Sequence, residues 1–125
     1  MTNSDRVRAF IAAWEARDTE TILDAIAPDA IYFNIPMAPL KGREAIREFI
    51  APFLASASRV EWSIHQMAEN EAGTVLTERT DVFVIGAKTI SLPVMGVFEF
   101  RDGLISNWRD YFDLASFQRQ MSAAA

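Results

Sequence analysis

The stretch Thr74-Val75-Leu76-Thr77-Glu78-Arg79-Thr80-Asp81-Val82-Phe83-Val84-Ile85 decides how the rest of the chain is read. Its branched and aromatic residues alternate with polar ones, which predicts a long β-strand. A turn at Gly86-Ala87-Lys88 follows, then a strand from Ile90 to Phe100. Asp102-Gly103 is a hairpin signal, because both residues tolerate positive φ, and Leu104 to Phe112 is the last strand. Working upstream, Asn70 to Gly73 reads as another turn, and before it Val60, Trp62 and Ile64 share one face of a strand that begins at residue 59. Strands joined by tight turns pair antiparallel.

The first half of the chain changes period. Val7, Phe10, Ile11 and Trp14 form the i, i+3, i+4, i+7 stripe of an amphipathic helix, which Asn3 or Ser4 can cap. Ala16-Arg17-Asp18 is a break. Asp18 or Thr19 starts a shorter helix carrying Ile22, Leu23 and Ile26, and Pro28 ends it. Ala30 to Ile35 reads as a strand and Pro36, Pro39 and Gly42 as a loop. A third helix carries Ile46, Phe49, Ile50 and Phe53, with a kink or early end expected at Pro52. After the last strand, Asp113 can cap a closing helix through Phe117 and Met121, and Ser122 to Ala125 reads as a frayed tail. The order predicts one α+β domain over residues 1–125. Three to four helices lie on one side of a curved, mixed but mostly antiparallel sheet, which closes over a pocket.

Composition narrows the function. Half of the 125 residues are apolar, enough for a sizeable core. The net charge of −5 argues against nucleic acid as partner. The absence of cysteine removes disulfides, thiolate catalysis and Cys-ligated metals, and fits the cytoplasm. One histidine, His65, has no triad or metal partner near it in sequence and reads as a half-exposed strand residue. The glycines are scattered, so no phosphate loop is present. No long apolar run suggests a secretory leader or a membrane span, which needs roughly 20 residues.

Strand alternation also says which side chains face inward. Arg79 and Asp81 share a face with Phe83 and Ile85, Asp110 lies between Trp108 and Phe112, and Tyr32 and Asn34 flank Phe33. An ionised carboxylate among such neighbours is costly unless paired or protonated. Arg79 can bridge Asp81 and Asp110 across a concave sheet. Arginine with two ionised aspartates carries net −1, whereas one carboxylate and one carboxylic acid make the group neutral. Apolar walls and like-charge repulsion favour the neutral form, which is a matched general base and general acid. Tyr32 and Asn34 could hold a water whose proton points at the base. Taken singly, each feature has an ordinary reading: a structural ion pair, turn chemistry at Tyr32 and Asn34, a solvated Asp110. Their joint occurrence on core faces makes a built site an equal reading.

Four motifs carry a resemblance: Tyr32-Phe33-Asn34-Ile35-Pro36, Thr77-Glu78-Arg79-Thr80-Asp81-Val82, Gly96-Val97-Phe98 and Trp108-Arg109-Asp110-Tyr111-Phe112-Asp113. In order and content they resemble the limonene-1,2-epoxide hydrolase family, from about residue 7 to residue 121. That family belongs to the cone-shaped α+β superfamily of nuclear transport factor 2-like and SnoaL-like proteins, which includes ketosteroid isomerase. The resemblance implies a one-step push–pull hydrolysis of a small hydrophobic epoxide to a vicinal diol. Asp110 would be the base, Asp81 the acid and Arg79 the bridge, with Tyr32 and Asn34 holding the water. It implies pocket walls at Phe53, Phe83, Leu92, Val94, Trp108, Phe112 and Phe117. It further implies no cofactor, no metal and a homodimer through the outer sheet face. The chain is shorter at its N-terminus than some members, and residues 51–59 match poorly. Two other readings stand beside it: a ketosteroid-isomerase-like proton-transfer enzyme, and a non-catalytic ligand-binding or dimerisation module.

Overall fold

The computed structural model describes residues 1–122. In chain order the elements are α1 (Asn3–Glu15), α2 (Thr19–Asp24), β1 (Ile26–Asn34), β2 (Leu40–Lys41), α3 (Arg43–Ser56), β3 (Ala57–Glu69), β4 (Val75–Ile85), β5 (Lys88–Arg101), β6 (Leu104–Tyr111) and α4 (Leu114–Ser122). The six strands form one sheet in the order β2-β1-β6-β5-β4-β3. β3 to β6 form an antiparallel meander, while β1 runs parallel to β6. The fold is the expected α+β arrangement, with four helices among the described residues and a curved, mostly antiparallel sheet. Register irregularities in the β3–β4 and β5–β6 ladders are of the kind that bend a sheet.

The hairpin turns fall where the sequence puts them. Asp102 and Gly103 both adopt positive φ, 54° and 78°, as the two-residue turn from β5 to β6 requires. Asn70 Oδ1 accepts hydrogen bonds from the backbone of Ala72 and Thr74 and shapes the β3–β4 turn. His65 is exposed, with Nε2 2.7 Å from Thr80 Oγ1.

Six local expectations change. Thr2, not Asn3 or Ser4, caps α1: its hydroxyl accepts from the Asp5 amide while the Asp5 carboxylate accepts from the Thr2 amide. Asn3 and Ser4 are engaged elsewhere, donating to Gly73 and Glu69 of the neighbouring hairpin. Ile26 lies in β1 rather than in α2, because it pairs with Ile105 at the start of the parallel ladder. Pro28 then sits where that register slips, a place that does not need its missing N–H. The loop after β1 contains the two-residue strand β2, paired to Ile31 and Tyr32. α3 runs through Pro52 to Ser56; its last turn is held by buried Leu54 and by Phe53, edge-on to Phe83 at 4.9 Å. Ser122 is helical, its hydroxyl bonded to the Gln118 carbonyl. The rest of the expected tail, residues 123–125, lies outside the described residues.

The helices cover the concave face. Val7, Phe10, Ile11 and Trp14 of α1 pack with Trp62, Phe98 and Trp108 of the sheet. Trp14 stacks on Trp62 at 4.5 Å, and Phe10 meets Trp108 edge-on at 5.0 Å. Such aromatic pairs add roughly 0.5–1.5 kcal/mol each beyond their buried area. α3 and α4 close the other side and leave a cavity between helices and sheet.

Candidate active site

The sheet register assembles the site. One cross-strand row contains Tyr32, Trp108, Phe98 and Val75, from β1 to β4. The row two residues along contains Asn34, Asp110, Gly96 and Thr77. The parallel β1–β6 pair therefore sets Tyr32 and Asn34 beside Trp108 and Asp110. Asp81 is two rows beyond Thr77 on β4, and Arg79 between them spans the distance to Asp110. The alternation that makes β4 a strand turns Thr77, Arg79 and Asp81 all inward.

Arg79 holds two carboxylates at once. Its Nε and Nη2 donate to Asp81 Oδ1 and Oδ2 at 3.0 and 2.8 Å. Its Nη1 and Nη2 donate to Asp110 Oδ1 and Oδ2 at 3.3 and 3.1 Å. Nη2 thus bonds both Oδ2 atoms. The Nη1 group also donates to Thr77 Oγ1 at 3.2 Å. The Arg79 side chain is 0% exposed and each aspartate side chain 5%. The guanidinium lies 4.6 Å from the centre of the Trp62 ring, a cation–π contact strengthened by desolvation. Asp110 Oδ1 accepts a further bond from Trp108 Nε1 at 3.0 Å.

Burial and the neighbouring charges shift three groups of the site. It works against charge on Arg79, but Asp110 and Asp81 outweigh it and the guanidinium is held more firmly charged than usual. Burial is also the largest influence on Asp81. Arg79 pulls its carboxyl down and Asp110 pushes it up, and the result is a rise from 3.8 to about 6. The Tyr32 hydroxyl is pushed up, first by burial and then by Asp110, with Asn34 pulling the other way. Tyr32 therefore stays a neutral hydrogen-bond donor near pH 7.

Tyr32, Asn34, Asp81 and Asp110 all line one cavity of about 250 Å³. Of the expected wall residues, Phe53, Phe83, Leu92, Phe112 and Phe117 line it too. Val94 and Trp108 do not. Val94 packs with Ile90 and Leu92 in a small cluster under α4. Trp108 lies behind Tyr32, stacked on its ring at 3.9 Å, and reaches the site through its indole N–H. Arg79 is likewise behind the surface, beneath the carboxylates. Sequence reasoning missed Trp14, Met37, Phe49 and Trp62 as wall residues. Phe49 lies on the stripe of α3 that reads as ordinary core, and Trp14 and Trp62 sit on equally regular core faces. Met37 lies in a loop with no periodic signal. Thr77 and Gly96 were also missed as contacts of the ion cluster. Thr77 was detectable, because it shares the period-two face of Arg79 and Asp81.

What the arrangement can do is acid–base chemistry on an apolar molecule. One carboxyl is driven toward its protonated form, the other is acceptor to three N–H groups, and two neutral polar groups stand beside them. Comparison with known proteins gives the family. The family model of the limonene-1,2-epoxide hydrolase catalytic domain matches residues 1–123. Epoxide hydrolase EphG of Mycobacterium tuberculosis is 35% identical over 108 residues, which are 86% of this chain and 71% of that protein. The structure of an M. tuberculosis LEH-like epoxide hydrolase superposes with a TM-score of 0.82 at 33% identity, covering 94% of this chain and 87% of that one. A protein of ketosteroid isomerase-like fold from Catenulispora acidiphila superposes with a TM-score of 0.83 at 23% identity, covering 99% and 96%; this likeness shows the fold alone. The chain belongs to the limonene-1,2-epoxide hydrolase family.

Proposed function

We propose that this epoxide hydrolase opens a small hydrophobic epoxide in one step, with Asp110 as general base and Asp81 as general acid. A water held by Tyr32, Asn34 and Asp110 attacks one epoxide carbon. Its proton passes to Asp110 Oδ2, which accepts one protein hydrogen bond and keeps a lone pair for the water. The C–O bond on the attacked carbon breaks, and the departing oxygen takes the proton of Asp81. The product is a vicinal diol, with Asp110 protonated and Asp81 ionised; proton exchange with solvent restores the start. The charge of the Arg79 group is the same before and after, so the buried arginine never loses its balance. Each positioned proton transfer is worth about 10²–10⁴ in rate.

The observation that carries this reading is the shared Nη2 of Arg79, 2.8 Å from Asp81 Oδ2 and 3.1 Å from Asp110 Oδ2 in a cavity with apolar walls. The rise of Asp81 to about 6 supports it as the proton donor. The reaction as written consumes only epoxide and water, with no cofactor or metal. No described helix is long and apolar enough to cross a membrane, and we infer a cytoplasmic enzyme acting as one domain. We also infer a homodimer: Leu76, Met95 and Tyr111 are 39–48% exposed on the outer sheet face, with Met95 opposite Tyr111 in the ladder. The test is incubation with limonene oxide and cyclohexene oxide. Formation of the trans diols is expected. Untouched epoxides, with rapid isomerisation of a steroid enone, would replace the assignment by an isomerase.

A further inference from the structure

Arg79 has five N–H bonds, and the structure shows a partner for each. Nε and one Nη2 hydrogen form a fork on Asp81, and the other Nη2 hydrogen and one Nη1 hydrogen form a second fork on Asp110. The remaining Nη1 hydrogen goes to Thr77 Oγ1. Thr77 is 1% exposed and lies opposite Gly96 in the β4–β5 ladder, and Gly96 lies opposite Asp110 in the β5–β6 ladder. Glycine in the middle of a long strand weakens it unless another group needs the space. Here three groups do. A Cβ on Gly96 would overlap Arg79 Nη1 and come within 2.9 Å of both Asp110 Oδ1 and Thr77 Oγ1.

We propose that Thr77 and Gly96 are positioning residues for the hydrolysis: Gly96 leaves the volume that Arg79 Nη1 enters, and Thr77 anchors that nitrogen, so that both aspartates are held in register on one guanidinium. The inference rests on the acid–base roles assigned to Asp81 and Asp110. Neither residue is among the groups that line the cavity. Their effect passes through Arg79. If Nη1 swings away, the Asp110 fork opens at Oδ1 and the Asp81 fork tilts, so the base and acid move relative to one another. A displacement of about 1 Å in such a pair costs on the order of 100-fold in rate. Binding depends on the apolar walls and is untouched.

The test is the series Thr77→Val, Thr77→Ser and Gly96→Ala, assayed against an epoxide that the wild type hydrolyses. Valine keeps the shape of threonine and removes the oxygen. Thr77→Val should lose about 10- to 100-fold in kcat, and Gly96→Ala about 100-fold. KM should stay within about twofold for both, as expected of groups that act only on the chemical step. Thr77→Ser should recover most of the loss. Arg79 lowers the Asp81 pKa, so loosening it should also move the alkaline limb of the kcat profile to higher pH. A wild type inert toward every epoxide would overturn the acid–base reading itself. An active wild type whose Thr77→Val and Gly96→Ala variants keep its kcat and pH profile would overturn the positioning role alone. So would a Thr77→Ser as impaired as Thr77→Val. If Gly96→Ala does not fold, the Thr77 pair decides.

Discussion

Arg109 and Asp110 are neighbours in β6, yet one peptide bond separates two kinds of ion pair. Arg109 points to the outer face and meets Glu99 on β5, with side chains 30% and 42% exposed. Asp110 points inward and meets Arg79, whose side chain has no exposure. Within one protomer the outer pair is open to solvent and is worth about 0–1 kcal/mol, because solvent screens it and two long side chains must be ordered. The inner group is a different object. Each buried ion carries a desolvation penalty of several kcal/mol, and only complete hydrogen bonding offsets it. A core of leucines and phenylalanines would be at least as stable. The inner cluster is therefore poor evidence for a stability device and good evidence for chemistry, as its opening onto an apolar cavity also indicates.

That contrast can be broken by substitution. The largest effect is expected at the aspartates: Asp110→Asn and Asp81→Asn should each lower kcat by about 10³–10⁴-fold while circular dichroism stays native. Near-normal turnover in either would put the inner cluster in the same class as the outer pair. Next comes Arg79→Leu, which leaves two carboxyls buried without their counter-charge. We expect a loss of about 3–5 kcal/mol in denaturant unfolding, partly relieved at low pH where the carboxyls are neutral.

A third prediction concerns pH. The Asp81 carboxyl is raised in the fold from 3.8 to about 6, so the folded state binds the proton more tightly than the unfolded state. This contribution favours folding at pH 3 and is lost as pH rises through about 6. Asp81→Asn lacks this titration. Its stability relative to wild type should rise between pH 4 and pH 7, in unfolding curves measured across that range. A flat difference would place the shared proton elsewhere. The smallest effect is expected outside: Arg109→Ala or Glu99→Ala should change stability by less than about 1 kcal/mol and leave kcat alone.

Much of the fold was legible because strand alternation and turn chemistry are local. The β4 to β6 meander, its turns and the stripe of α1 needed nothing beyond neighbours in sequence. The boundary between α2 and β1 was not legible, because Ile26 fits a helix stripe and becomes strand only by pairing with Ile105, far along the chain. Pro52 misled for a similar reason: the contacts of Phe53 and Leu54 with the sheet outweigh one missing hydrogen bond. Within the site, charged residues on a core face stood out by their cost. Thr77 and Gly96 did not, since a threonine and a glycine in a strand are cheap and common. Thr77 could be placed on the inward face of Arg79 and Asp81 by its spacing, but only the three-dimensional packing against Arg79 shows that it and Gly96 touch the guanidinium. The same holds for Trp14 and Trp62, whose pattern is that of core and whose faces border the cavity.

The central claim is that water attacks the epoxide directly, with both aspartates acting only as proton carriers. The measurement that meets it head-on is a single turnover in ¹⁸O-water with enzyme in excess, followed by mass spectrometry of the diol and of peptides containing Asp81 and Asp110. The account predicts one ¹⁸O atom in the diol and none in either carboxylate. Unlabelled diol with ¹⁸O in Asp110 or Asp81 would mean that the carboxylate itself attacked through an ester, and would contradict it.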